Sequence, residues 1–229
     1  MRVPGDASPF NVLSYRHLEI AVTERIATAR YDRLAVFIDH QNVYRGARDA
    51  LGATDDDYHV VGQYDPFRLA NLIAERHPSY RGARLRKLVQ VNIYSGLPSS
   101  SRNPKGYAAA RRQFKRWESA ASGSGPKIEV CTRPLDYRTG YPREKGIDVL
   151  LALDLAFSAA SKDFDVIVLF SGDSDLLPAL ERAHAVGVTC EVAAWKGGGR
   201  QLPKKDYIKW EHRLYKHDYD QVHDSFNYL

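Results

Sequence analysis

The sequence predicts a doubly wound α/β fold, a mainly parallel sheet flanked by helices. Two observations carry this. Short apolar, β-branched runs recur along the chain, and segments of helical periodicity lie between them. The clear runs are Leu34–Ile38, Leu88–Tyr94 and Val166–Phe170; Lys127–Cys131 and Val188–Ala194 are weaker ones. Near-continuous apolar runs mark strands buried on both faces, as helix-covered parallel strands are.

Helical patterns occupy Pro66–Arg76, Lys105–Ala121, Ile147–Ala160 and Asp175–Val186, the last closed by Gly187. The expected organisation is a helical extension at 1–30, the α/β domain at 31–195, and a tail at 196–229 that packs on or closes the domain. The tail's aromatic residues suit a docked helix, a strand-holding arm or an oligomer contact. A chain of 229 residues, 44% hydrophobic, can bury a core of that size. The most apolar window is broken by Asp148 and Asp154, which excludes a membrane span. No secretory signal is visible at the start, and Cys131 and Cys190 fit no metal or redox spacing, so a cytoplasmic protein with reduced thiols is expected.

The chemistry should lie beyond the carboxyl ends of the strands, where open parallel sheets bind ligands. Asp39 follows the first run, and Asp173 and Asp175 follow the third, in Ser171-Gly172-Asp173-Ser174-Asp175. Carboxylates converging on one edge repel one another. A divalent cation offsets that repulsion, and hard oxygen donors favour Mg2+ or Mn2+ over zinc. Asp148 is a fourth candidate, in the first turn of an apolar helix, where simple capping competes as an explanation. Asp154 falls on a different helix face, as a supporting group or a buried partner. Gly197–Gly199 is expected on the same edge, as a mobile loop over the site.

Charge gives a second signal. Between Arg76 and Arg116 there are eleven Lys or Arg and no Asp or Glu, a one-sided balance that suits a phosphate backbone. The candidate contacts are Arg81, Arg84, Arg86, Lys87, Arg102, Lys105, Arg111, Arg112, Lys115 and Arg116. Tyr80, Tyr94 and Tyr107 offer stacking surfaces for unpaired bases.

Three segments, Phe37–Asn42, Glu144–Val149 and Ser171–Pro178, resemble in order and spacing the signature segments of the NYN domain. That group, also called LabA-like or DUF88, belongs to the PIN-like nuclease superfamily. The resemblance runs from about Leu34 to Ile208. It implies a PIN-like, Rossmann-like three-layer sandwich and a metal-dependent endoribonuclease, with RNA favoured over DNA. Asp39, Asp148, Asp173 and Asp175 match the acidic positions, Asn42 the polar residue after the first acid, and Lys145 the basic residue before the helix acid. Ser171 and Ser174 are supporting hydroxyls. The insertion containing Asp55-Asp56-Asp57 does not align with the pattern.

Rival readings are a slow or silent nucleic-acid-binding adaptor of the same fold and a Toprim-like DNA-acting domain. A Toprim domain places Glu after the first strand, where this chain has Asp39. A dehalogenase-type phosphohydrolase needs a second acid at position 41, which is Gln, and no GxGxxG follows the first strand for nicotinamide binding.

Overall fold

Strand β1 (Asp32–Asp39) is buried along its last six residues and lies at the middle of a six-stranded sheet. The computed structural model describes residues 31–54, 59–76, 78, 82–120, 125–199 and 201–229. The expected 1–30 extension, Asp55–Asp57, Tyr80 and Arg81 lie outside the described residues. Residues Asp32–Leu229 form one compact unit.

The remaining strands are β2 (Arg86–Leu97), β3 (Lys127–Pro134), β4 (Val166–Phe170), β5 (Thr189–Trp195) and β6 (Ile208–Leu214). They assemble in the order β3-β2-β1-β4-β5-β6, every pair parallel. The helices are α1 (His40–Ala50), α2 (Pro66–Glu75), α3 (Pro104–Ser119), α4 (Ile147–Ala160), α5 (Leu177–Ala185) and α6 (Lys216–Val222), with a 3₁₀ turn at Ser174–Leu176.

Alternation along β1 assigns the two layers. Leu34, Val36 and Ile38 join a core with α1, α2, α3 and α6 residues such as Ala47, Leu69, Trp117 and Tyr219. Ala35 and Phe37 join Leu151 and Leu155 of α4 and Leu180 of α5 on the opposite face. Each such aliphatic side chain, fully buried, contributes about 1.5–3 kcal/mol. The result is the three-layer α/β sandwich that the apolar runs predict.

Two elements escape the sequence patterns. Helix α1 buries only Val43, Gly46 and Ala47, so few apolar residues that no apolar pattern stands out in its sequence. Strand β6 arises inside the expected tail, from Ile208-Lys209-Trp210-Glu211-His212-Arg213-Leu214, because a sheet edge tolerates alternating polar residues.

The chain runs outward from β1 to β3, then returns to β4 and proceeds the other way. A topological switch point therefore lies between β1 and β4, and the crevice at their carboxyl ends is where ligands bind in such sheets.

Candidate active site

Asp39 is the last residue of β1 and caps α1: Oδ1 accepts from the Asn42 amide N–H at 3.2 Å. Its Oδ2 accepts from Asn42 Nδ2 at 2.7 Å and from Ser171 Oγ at 2.9 Å. The carboxyl is only 8% exposed, and among the described residues no Lys or Arg forms an ion pair with it. Burial raises its pKa. Hydrogen bonds from Asn42 and Ser171 oppose that rise, and the nearby Asp173 charge adds to it.

Ser171, the first residue after β4, joins the two strand ends. Its hydroxyl donates to Asp39 and accepts the Asp173 amide N–H at 3.0 Å. Asp173 in turn caps the 3₁₀ turn, its Oδ1 accepting from the Asp175 N–H at 3.0 Å. The Ser-Gly-Asp-Ser-Asp sequence folds this way because the Ser171 and Asp173 side chains each bond a backbone amide two residues ahead. Ser174 and Asp175 are exposed.

Asp148 lies in the first turn of α4, whose N-cap is Gly146 at φ +72° with no side-chain cap bond. Four residues earlier stands Glu144, a carboxylate the sequence reading left unassigned. Its Oε1 accepts from the Gly96 N–H at 2.6 Å. Burial raises the Glu144 pKa against that bond, with further upward pressure from Asp39 and Asp148 and a downward one from Arg45. A Cβ on Gly96 would meet Leu135 at 2.3 Å and Glu144 at 2.8 Å, so glycine there makes room for this carboxylate. The signal available in the sequence was its position in the Glu144–Val149 segment.

Asp173, Asp39, Glu144 and Asp148 thus form one electrostatically coupled series along the edge, while Asp175 bonds the series only through its backbone. Among the described residues, no three His, Cys, Asp or Glu side chains are grouped closely enough to hold a cation between them. The donor set still suits magnesium, which binds through one or two carboxylates and keeps several of its waters. Asp39 and Asp173 are the two carboxylates that could serve as such a pair, and oxygen donors of this kind favour a hard ion.

His40 is not part of this chemistry. It shares a 3.0 Å hydrogen bond with the Tyr64 hydroxyl and packs edge-on against Trp117, and burial lowers its pKa to about 4. The Gly197–Gly199 loop reaches the edge, but it packs on α1. Gly198 is buried, and a Cβ there would stand 1.8 Å from the Gly46 carbonyl oxygen. Beside it, Asn42, Arg45, Asp49, Asp173 and Gly199 help line a hollow of 250 Å³.

The basic candidates divide. Arg86 is corrected outright: its Nη1 and Nη2 each donate to Glu191 at 2.9 Å, and the pair is 4% and 0% exposed. A buried guanidinium already paired with a carboxylate cannot reach a phosphate. Arg84 faces Asp32 at 3.7 Å. Arg84 and Lys87 flank the start of β2, whose first residue pairs with Asp32. That is the opposite edge of the sheet, roughly 23 Å from Asp39 over seven strand residues.

Arg102 and Lys105 lie near the carboxyl edge, and Arg102 covers the Tyr137 ring at 5.4 Å. Along α3, Arg112 donates to the Tyr228 carbonyl, Arg116 covers Phe226 at 4.9 Å, and Arg111 and Lys115 are exposed. Tyr94 is corrected too. It is 2% exposed, stacks on Phe37 and donates to Asp154 Oδ2 at 3.1 Å, so it offers no face to a base. Tyr107 is half-buried. The thiols are free, and burial pushes Cys190 up to about 12, leaving it unreactive. No helix among the described residues is long and apolar enough to cross a membrane.

Comparison with known proteins agrees with this architecture. The sequence profile of the NYN domain matches residues 33–212. A crystal structure of a protein of unknown function from Vibrio parahaemolyticus RIMD 2210633 superposes with a TM-score of 0.52 at 20% identity, covering 81% of this chain and 94% of that one. That likeness speaks to the fold alone. Among curated proteins, none matches.

Proposed function

The chain belongs to the NYN domain family, within the PIN-like nuclease superfamily, and from that premise we propose that it is a Mg2+- or Mn2+-dependent endonuclease that hydrolyses RNA. One observation carries the proposal. Asp39 is a buried carboxylate at the switch point of the sheet, bonded among the described residues by neutral donors only, with the Asp173 charge nearby. Such a group is costly to ionise unless a cation arrives to share it.

Asp39 and Asp173 would hold the ion, with Glu144 and Asp148 receiving its waters. When bound, the cation would lower the pKa of a coordinated water and polarise the scissile phosphate. Asn42 and Ser171 fix the Asp39 carboxylate in one orientation, the part that partners of metal ligands play. Lys145, exposed beside α4, adds positive charge that would attract the phosphate backbone to the acids. Water rather than a ribose hydroxyl would attack, leaving 5′-phosphate and 3′-hydroxyl ends. The exposed cations of α3 support a polyanionic substrate, and the family membership is what favours RNA over DNA in this reading.

End-labelled single-stranded RNA and DNA of one sequence provide the test. Cleavage of the RNA with Mn2+, its loss in EDTA, its loss in Asp173→Asn and a 5′-phosphorylated product are expected. Cleavage that persists in EDTA, or an Asp173→Asn protein of full activity, overturns the metal scheme. RNA left intact by purified protein with Mn2+, but bound by it, would favour the adaptor reading.

A further inference from the structure

A basic hollow lies on the β3 side of the acidic crevice. Arg133, Pro134, Asp136, Arg138, Lys145 and Gly146 line a space of 460 Å³, within the size range of small-ligand pockets. Three cations meet one carboxylate there. Asp136 is already neutralised: Arg138 donates to its oxygens at 2.7–3.1 Å and holds its pKa at about 2. Arg133 and Lys145 remain, exposed, with no ion pair to either among the described residues.

Register places this hollow relative to the acids. Asp39 pairs with Tyr94, Tyr94 with Cys131, and Arg133 is two residues further along β3. Two strand spacings across and two residues along separate the Asp39 and Arg133 backbones by about 12 Å. Gly146 bounds the wall: a Cβ added there would meet Arg133 Nε at 3.6 Å, so the guanidinium lies along the start of α4. The opposite flank of the crevice is mixed in charge, with Arg45 set against Asp49 and Asp173.

From this asymmetry we infer that the Arg133–Lys145 hollow is a subsite for a phosphate of the nucleic-acid backbone adjoining the scissile one. The inference rests on the nuclease reading for the meaning of "scissile" but not for binding. The substrate strand crosses the sheet edge with one neighbouring phosphate between Arg133 and Lys145. The acids at the centre repel the backbone, and this hollow supplies the attraction that brings it to them. Arg138 contributes by cancelling Asp136, so losing it leaves that carboxylate's negative charge facing the phosphate.

The test measures binding of a short fluorescein-labelled single-stranded RNA in EDTA, by anisotropy across a salt series. Arg133→Gln is expected to weaken affinity about tenfold and to flatten the log K against log salt slope by about 1, as for one lost phosphate contact. Arg138→Gln should weaken it at least as much. The double variant Arg84→Gln/Lys87→Gln removes two charges at the far edge and should bind as wild type. Equal weakening in that control, or an unchanged slope in Arg133→Gln, overturns the subsite. Cleavage with Mn2+ separates the two proposals. RNA held through Arg133 but never cut sinks the nuclease and keeps the subsite; RNA cut by a protein indifferent to Arg133→Gln does the reverse.

Discussion

Two buried carboxylates in one sheet have opposite fates. Glu191, in β5, is fully buried and receives both Nη groups of Arg86 at 2.9 Å and His212 Nε2 at 2.8 Å. Burial alone would raise its pKa, but the hydrogen bonds from His212 and Arg86 and their charges pull it below the ordinary carboxylate value. Asp39, nearly as buried, has only Asn42 and Ser171 as donors among the described residues, and its pKa is raised. The first charge is closed within the protein. The second is left for something else to complete. The difference separates a structural acid from a functional one on physical grounds.

The largest expected effect is at Asp39. Asp39→Asn keeps the shape and removes the charge that a cation needs. RNA cleavage with Mn2+ should fall roughly a thousandfold or more, since metal stabilisation is worth several kcal/mol. The melting temperature measured without metal should not fall. Wild-type turnover in Asp39→Asn would erase the distinction drawn here. Breaking the closed pair should do the opposite. Arg86→Met leaves Glu191 buried without its guanidinium and should cost about 3–5 kcal/mol in urea unfolding. Unchanged stability would mean that Glu191 is as tolerant of an open charge as Asp39.

This contrast also shows what the sequence made legible. Asp39 and Asp173 could be placed on the edge because an apolar run ends directly before the first and three residues before the second, and parallel sheets put such ends on one edge. Arg86 looked like its basic neighbours because nothing local reveals a partner 105 residues away. Glu144 was hidden for a similar reason, since its position depends on the Gly96 amide, 48 residues earlier. The layers of the fold follow from periodicity. Pairings across the sheet do not, so the polar network was the part least visible. The edge strand β6 was missed because its residues lack the apolar continuity of buried strands.

Ser171→Ala is the intermediate case. Its hydroxyl bonds Asp39 and receives the Asp173 N–H from a position that is itself buried, so it orients both acids from behind. Loss of such a partner typically costs 10–100-fold in metal affinity or activity. The loss should appear chiefly as a higher Mn2+ requirement, with cleavage partly restored at saturating metal. A protein inactive at every Mn2+ concentration would assign Ser171 a direct role.

The smallest effect, and the most direct comparison of the two acids, is the pH dependence of stability in EDTA. Asp39 has a folded pKa above its ordinary 3.8. The native state therefore holds that proton more tightly than the unfolded chain, and its contribution to stability falls as pH rises from about 4 through the folded value. Glu191 has a folded pKa below its ordinary 4.5, so its contribution is present above that value and is lost as pH falls through the folded one. Urea midpoints of Asp39→Asn and wild type should therefore coincide near pH 4 and diverge toward pH 7, with the variant the more stable. Glu191→Gln should show its deficit mainly at neutral pH. Added Mn2+ should reverse the first comparison only, because it binds the ionised Asp39 of the wild type and stabilises the native state by mass action. A difference between Asp39→Asn and wild type that stays constant with pH, or is unmoved by Mn2+, would show that Asp39 is no more available to a cation than Glu191.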